Sequence, residues 1–229
     1  MIVAERKPLD ELKRSVAGRK KILVLGCGGC VTVCVTGGEK QVELLASQLR
    51  MSLDGVEVKE RTITRQCDRE FLDEIADDVA EADAVLSMAC GAGVQLVSER
   101  FPETRILPAM NTTFLGANVA PGIWSENCRG CGNCRLGETA GICPITRCTK
   151  GLINGACGGT NNGKCEVSDE IDCGWYLIYK RLKELDRLDE LREMRDPVDW
   201  SISTSGAPRL MVLDELTEEP EEEPTADKA

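Results

Sequence analysis

Thirteen cysteines and no histidine, with eight of the cysteines crowded into residues 128–173, constrain this 229-residue chain more than any other feature. The crowded segment is dense in Gly, Asn and Thr, as in KGLINGACGGTNNGKCEV, and nearly free of apolar anchors. A stretch so poor in core formers draws its order from elsewhere, and metal ligation supplies order outright. The lack of His excludes a Ser/His or Cys/His catalytic pair, a His-ligated zinc and a Rieske-type centre. No other group is arranged for acid–base work, so no catalytic residue is assigned.

The tightest run is Cys128-x2-Cys131-x2-Cys134-x8-Cys143-Pro144. Cysteines at three-residue spacing in a Gly-rich loop turn several sulfurs toward one point, which a cubane cluster requires because its irons take thiolates from different directions. The Pro after the last Cys is ferredoxin-like, although ferredoxins have a shorter gap before that Cys. Gly130, Gly132, Gly137 and Gly141 let the backbone pass close to an inorganic core and donate N–H groups to it. The competing reading is a four-Cys structural zinc. A second run follows, Cys148-x8-Cys157-x7-Cys165-x7-Cys173. Its wide spacing fits zinc, a second cluster, or ligands shared between two centres, since in two-cluster ferredoxins the last Cys of a run serves the other cluster.

The first half reads as alternating β and α units. Strands are expected at 21–25, 56–63, 84–88 and 106–110, with helices at 9–16 and 39–50 and around Leu72–Val79 and Val94–Phe101. This order predicts a parallel, doubly wound, Rossmann-like sheet. Loops at the carboxyl ends of parallel strands share one edge, where ligands bind. Cys27, Cys30 and Cys34 follow the first strand, Cys67 the second and Cys90 the third, so three strands deliver thiols to that edge. Cys27, Cys30, Cys67 and Cys90 form the expected set, with Cys34 as the spare fifth candidate; the bland alternative is a group of small buried thiols. Gly26-Cys27-Gly28-Gly29-Cys30 sits where a dinucleotide fingerprint would, but Val31 replaces the third glycine, which favours a tight turn.

The expected organisation is an N-terminal helix (1–20), a Rossmann-like α/β domain (21–118), a loop-rich Cys/Gly metal-cluster domain capped by a helix (119–200) and an acidic tail (201–229). The capping helix is expected from near Cys173 to about Arg195, ended by Pro197. Residues 214–229 hold eight acids against Lys228, so −7 of the net charge of −11 lies there; that composition predicts disorder. The body carries no Lys/Arg run, which argues against a nucleic-acid partner. No stretch is long and apolar enough to span a bilayer, and the first 14 residues carry no signal-peptide core, so a cytoplasmic protein without membrane insertion is expected. Reduced thiols in that compartment more often bind metal than pair. The segment 112–127, with Phe114, Leu115 and Trp124, is a candidate partner-facing surface.

From Cys128 to Tyr179, the motifs CRGCGNC, GICPITRCTKGLINGACGG, GKCEV and DCGWYLIYKRL resemble the methylenetetrahydrofolate reductase C-terminal domain family. ILVLGCGGCVTVC, TGGEKQVELLASQL, RQCD and MACGAG resemble the N-terminal half found in the same family. The resemblance implies a small, non-catalytic redox subunit of a Wood–Ljungdahl-type reductase. Two or three [4Fe-4S] clusters would carry electrons from an electron-donor protein to a flavin-containing catalytic subunit, which reduces methylenetetrahydrofolate to methyltetrahydrofolate; zinc is the alternative occupant of one of these centres. Two other readings stand beside it: a zinc-stabilised adaptor that docks the catalytic subunit to its donor, and a folate- or corrinoid-binding enzyme with a Cys-ligated zinc.

Overall fold

The computed structural model describes residues 1–194, 196–203 and 209–213. The predicted acidic tail beyond residue 213 lies outside the described residues.

The run KILVLGC forms a central strand because its side chains are apolar on both faces. Strand β1 spans Ile2–Arg6, helix α1 Leu9–Ser15 and strand β2 Lys21–Cys27. Next come α2 (Cys30–Val33), α3 (Glu39–Ser52), β3 (Glu57–Ile63), α4 (Ala76–Ala80), β4 (Ala84–Met88), α5 (Gly91–Arg100) and β5 (Ile106–Pro108). β2 lies between β3 and β4 in a parallel four-stranded sheet of order β3-β2-β4-β5. Successive β2 residues feed opposite cores. Ile22 and Val24 pack with Val42, Leu45 and Leu49 of α3 and Leu12 of α1; Leu23 and Leu25 pack with Leu72, Ile75, Val79 and Val97. Both faces are therefore covered, as the alternating β and α pattern predicts.

Three local expectations are corrected. The first residues form a strand before the helix: β1 pairs antiparallel with β6 (Met110–Ala120), which pairs with β7 (Ile123–Cys128). The region 112–127 is thus a hairpin, and Phe114 and Trp124 are half-buried against the core, so they do not form a free surface. Gly116 is required at the bulge there, since a Cβ would stand 2.3 Å from the Ser125 carbonyl oxygen. The Leu72–Val79 segment buries the expected side chains but is built from two 3-10 turns, Arg69–Phe71 and Asp73–Ile75, before α4.

The cysteine-rich part contains α6 (Pro144–Arg147), a small antiparallel pair β8 (Lys164–Cys165) and β9 (Ser168–Asp172), and α7 (Gly174–Glu184). Its fully apolar core is small: Trp175, Ile178 and Leu182 of α7, with Ile142, Leu152 and Leu188 against them. α7 stops eleven residues short of the expected end. Asp186 takes φ 56°, its N–H bonds to Lys183 O at 3.2 Å, and Arg187 N–H bonds to Leu182 O at 2.8 Å. That double closure is a Schellman cap, which satisfies the last carbonyls and turns the chain away. Leu188–Arg192 resumes as a 3-10 turn, and Met194 projects fully into solvent.

Candidate metal centre

Four thiols stand at the carboxyl edge of the parallel sheet. Cys27 ends β2, Cys30 opens α2, Cys67 follows β3 and Cys90 precedes α5. Cys27 and Cys90 flank the β2–β4 boundary, where the chain reverses its direction of travel across the sheet, the position at which α/β sheets bind ligands. The sulfurs sense one another: burial pushes the Cys67 thiol pKa up, and the Cys90, Cys27 and Cys30 charges push it the same way. Cys67 is exposed as a residue, yet its sulfur is partly enclosed.

The backbone beneath these thiols is held by a buried polar tie. The Gln66 side-chain nitrogen donates to Leu25 O at 2.9 Å and Gly26 O at 3.0 Å, and Ser87 Oγ donates to its oxygen at 2.6 Å. Gln66 and Ser87 are both fully buried. Gly93 lets α5 approach, because a Cβ there would lie 2.9 Å from the Gln66 Cβ. Cys90 is the residue before α5, a ten-residue helix. Sequence reasoning did not single out Gln66; a Gln directly before Cys67 was the available signal, but its burial is a tertiary fact.

Cys34 stands elsewhere. It is buried, donates to Val31 O at 3.6 Å and exchanges a 3.0 Å hydrogen bond with Thr36 Oγ1. These partners suit a structural thiol.

The second run comes together. Cys148, Cys157, Cys165 and Cys173 all line a cavity of about 650 Å3, walled by Trp175, Tyr176 and Tyr179. They arrive from different places: Cys148 follows α6, Cys157 lies in the loop before β8, Cys165 lies in β8 and Cys173 caps α7. Trp175 fastens the wall by donating to Leu152 O at 2.9 Å. Gly159 N–H donates to Cys157 Sγ at 3.4 Å, and that hydrogen bond, followed by the charge of Lys150, draws the Cys157 pKa down. Lys150 is ion-paired with Glu166.

The first run is looser. Cys128 ends β7 and accepts from Gly130 N–H at 3.3 Å, while Cys131 donates to Asn133 O at 3.5 Å. Gly130 and Gly132 use left-handed φ values of 61° and 85° to turn this loop. Cys143 borders a separate groove whose lining holds none of Cys128, Cys131 and Cys134.

All thirteen cysteines are free thiols. Among the described residues, no three Cys, Asp or Glu side chains converge tightly enough to hold one metal ion. The donor set nevertheless suits anionic sulfur: backbone N–H groups point at Cys128 and Cys157, and Cys90 and Cys173 sit at helix N-termini. The cavity of about 650 Å3 whose lining the four thiols share is far larger than one ion needs.

No helix among the described residues is long and apolar enough to cross a membrane. Residues 107–201 match a family model described as methylene-tetrahydrofolate reductase C terminal. The match spans the Cys128 and Cys148 runs and α7, and it begins beyond Cys27, Cys30, Cys67 and Cys90. No curated protein and no solved structure matches the chain significantly.

Proposed function

We propose, with that family match as the premise, that the chain is the iron–sulfur electron-transfer subunit of a methylenetetrahydrofolate reductase complex, relaying electrons to a flavin-containing catalytic subunit. The observation that carries this reading is the gathering of Cys148, Cys157, Cys165 and Cys173, from four separate places in the chain, around one cavity. These four would hold one centre, Cys128, Cys131, Cys134 and Cys143 a second, and Cys27, Cys30, Cys67 and Cys90 a third. A bound [4Fe-4S] cluster supplies reversible one-electron storage.

The chain's own residues do three things in this scheme. Thiolates ligate; the Gly130 and Gly159 N–H groups stabilise negative sulfur at Cys128 and Cys157; and Trp175, Tyr176 and Tyr179 screen one wall of the Cys148–Cys173 cavity from water. Burial and hydrogen bonds to sulfur are the levers that set a cluster's potential. Carbon reduction is flavin chemistry, assigned here to the partner subunit, because no side-chain set among the described residues is arranged for a pterin or a hydride.

Anaerobic purification followed by iron, sulfide and zinc analysis tests the reading. Roughly four irons per occupied quartet are expected, with a broad visible absorption that bleaches on reduction. Colourless protein with stoichiometric zinc would instead establish the structural adaptor. Methyl transfer without any flavoprotein would establish an enzyme in its own right.

A further inference from the structure

A second concavity, a groove of about 610 Å3, runs between α6 and α7. Arg147 at the end of α6 and Lys180 and Arg181 on the exposed side of α7 line it, with Glu184 as the carboxylate among them. None of the three cations enters an ion pair among the described residues. Cations elsewhere do so readily, as Lys59 does with Asp78 and Glu81, Arg100 with Asp73 and Arg187 with Glu190. Ile142, Leu177 and Cys143 form the apolar part of the lining.

The three cations pair with no carboxylate among the described residues, although Arg147 and Arg181 stand in the last turns of α6 and α7, where a cation suits the helix dipole. They create a local positive field on a chain whose net charge is −11, and such a field steers an oppositely charged partner to one place. All three cations are exposed, so a small anion bound there would stay largely hydrated and gain little. A protein surface would cover the rim and exclude that water. Cys143 then decides what kind of protein: it is the residue through which the groove touches the Cys128–Cys143 run.

We infer that the groove is the docking face for an acidic electron-carrier protein, whose surface carboxylates meet Arg147, Lys180 and Arg181 and bring its redox centre up to Cys143. The inference rests on the proposed electron-transfer role. With a cluster held by the Cys128–Cys143 run, the exchange would be a single electron: the carrier would be oxidised by one and that cluster reduced by one, with no bond made or broken.

The test uses the full chain purified anaerobically and an acidic [2Fe–2S] ferredoxin as the probe, with binding measured at equilibrium and association by stopped flow from low to high ionic strength. Arg147→Glu/Lys180→Glu/Arg181→Glu should slow association about tenfold or more at low salt and flatten its salt dependence. Iron content and circular dichroism should stay unchanged. Lys180→Gln/Arg181→Gln should give a smaller loss in the same direction. Lys13→Glu/Lys40→Glu/Arg105→Glu changes net charge equally on the other domain and should have little effect. Equal losses in the two triple variants, or no ferredoxin binding by wild type at low salt, would overturn the inference. So would faster association after deletion of residues 214–229, which would make the chain's own acidic segment the occupant, or competition by inorganic phosphate at constant ionic strength. Groove-dependent binding by an iron-free chain would uphold the docking face while removing the cluster reading, so the two fail separately.

Discussion

Ser87 donates a 2.6 Å hydrogen bond to the side-chain oxygen of Gln66, and the Gln66 nitrogen spans to the carbonyls of Leu25 and Gly26, so one buried side chain ties β4 to the end of β2. Cys67 is the next residue, so this tie anchors the backbone that carries its thiol. Gln66→Leu keeps much of the volume but strands a buried hydroxyl and weakens two carbonyls. It should cost about 1–3 kcal/mol, seen as a lower denaturant midpoint at constant slope. Gln66→Glu should be worse at neutral pH and recover as pH falls. Burial raises that carboxyl's folded pKa above its unfolded value, so the stability it allows is present in acid and lost as pH rises through the folded pKa.

Alkylation of the metal-free chain should separate two cysteines by their surroundings. Cys67 is held protonated by partial enclosure and by Cys90, Cys27 and Cys30, whereas Cys157 is pulled toward the thiolate by Gly159 N–H and Lys150. The thiolate is the nucleophile, so iodoacetamide near neutral pH should label Cys157 well before Cys67 in a mass-spectrometric time course. Because the Cys67 pKa is raised on folding, its contribution to stability is complete below the unfolded thiol pKa and lost as pH rises through the folded one. Equal rates for the two would show that neither environment acts on its sulfur.

Cys90→Ser and Cys34→Ser should part company in metal content. Cys90 stands with Cys27, Cys30 and Cys67, and removing it should lower bound iron by up to roughly four per chain. Cys34 is engaged by Val31 and Thr36 inside the core, so Cys34→Ser should leave iron unchanged and reduce only stability. Equal iron in wild type and Cys90→Ser would remove the sheet-edge centre.

Much of this arrangement is legible in the sequence, for identifiable reasons. The parallel sheet follows from runs such as Leu23–Leu25 and Val85–Leu86, apolar on both faces. The place of Cys34 one turn beyond Cys30 sets it apart from the other thiols, and it is buried against Val31 and Thr36. What escapes is set by tertiary contacts. β1 carries Glu5 and Arg6 and reads as an exposed helix start until Met110–Leu115 arrives to pair with it. The β6–β7 hairpin has two register shifts, at Leu115/Gly116 and Asn118/Ala120, which erase the period-two signal. The Arg147–Lys180–Arg181 groove joins residues more than thirty positions apart, and no local pattern announces it.

The Trp175 indole both fills the small core of the cysteine-rich lobe and fastens the loop at Leu152, whose carbonyl accepts its N–H. Trp175→Phe keeps most of the packing and loses the hydrogen bond, at about 1–3 kcal/mol. Trp175→Ala also opens a cavity and should cost about 3–5 kcal/mol. With so few apolar residues beside it, Trp175→Ala should lower metal retention in the Cys148–Cys173 cavity, measured as faster iron loss to a chelator, while the unfolding of the parallel-sheet domain stays near wild type.

The end of α7 offers a stabilising change that tests the cap itself. Asp186 holds a left-handed φ of 56° that costs an L-residue with a Cβ about 1–2 kcal/mol, and its carboxylate sits at the negative end of the helix dipole. Asp186→Gly removes both penalties and gives back part of the gain through the greater freedom of the unfolded chain. A net gain of about 0.5–1 kcal/mol is expected. Asp186→Asn, which keeps a side chain but loses the charge, should recover only part of it. If Asp186→Gly and Asp186→Asn raise the unfolding midpoint equally, charge rather than backbone strain is the dominant cost, and lengthening α7 past Leu185 by Asp186→Ala should then be tolerated.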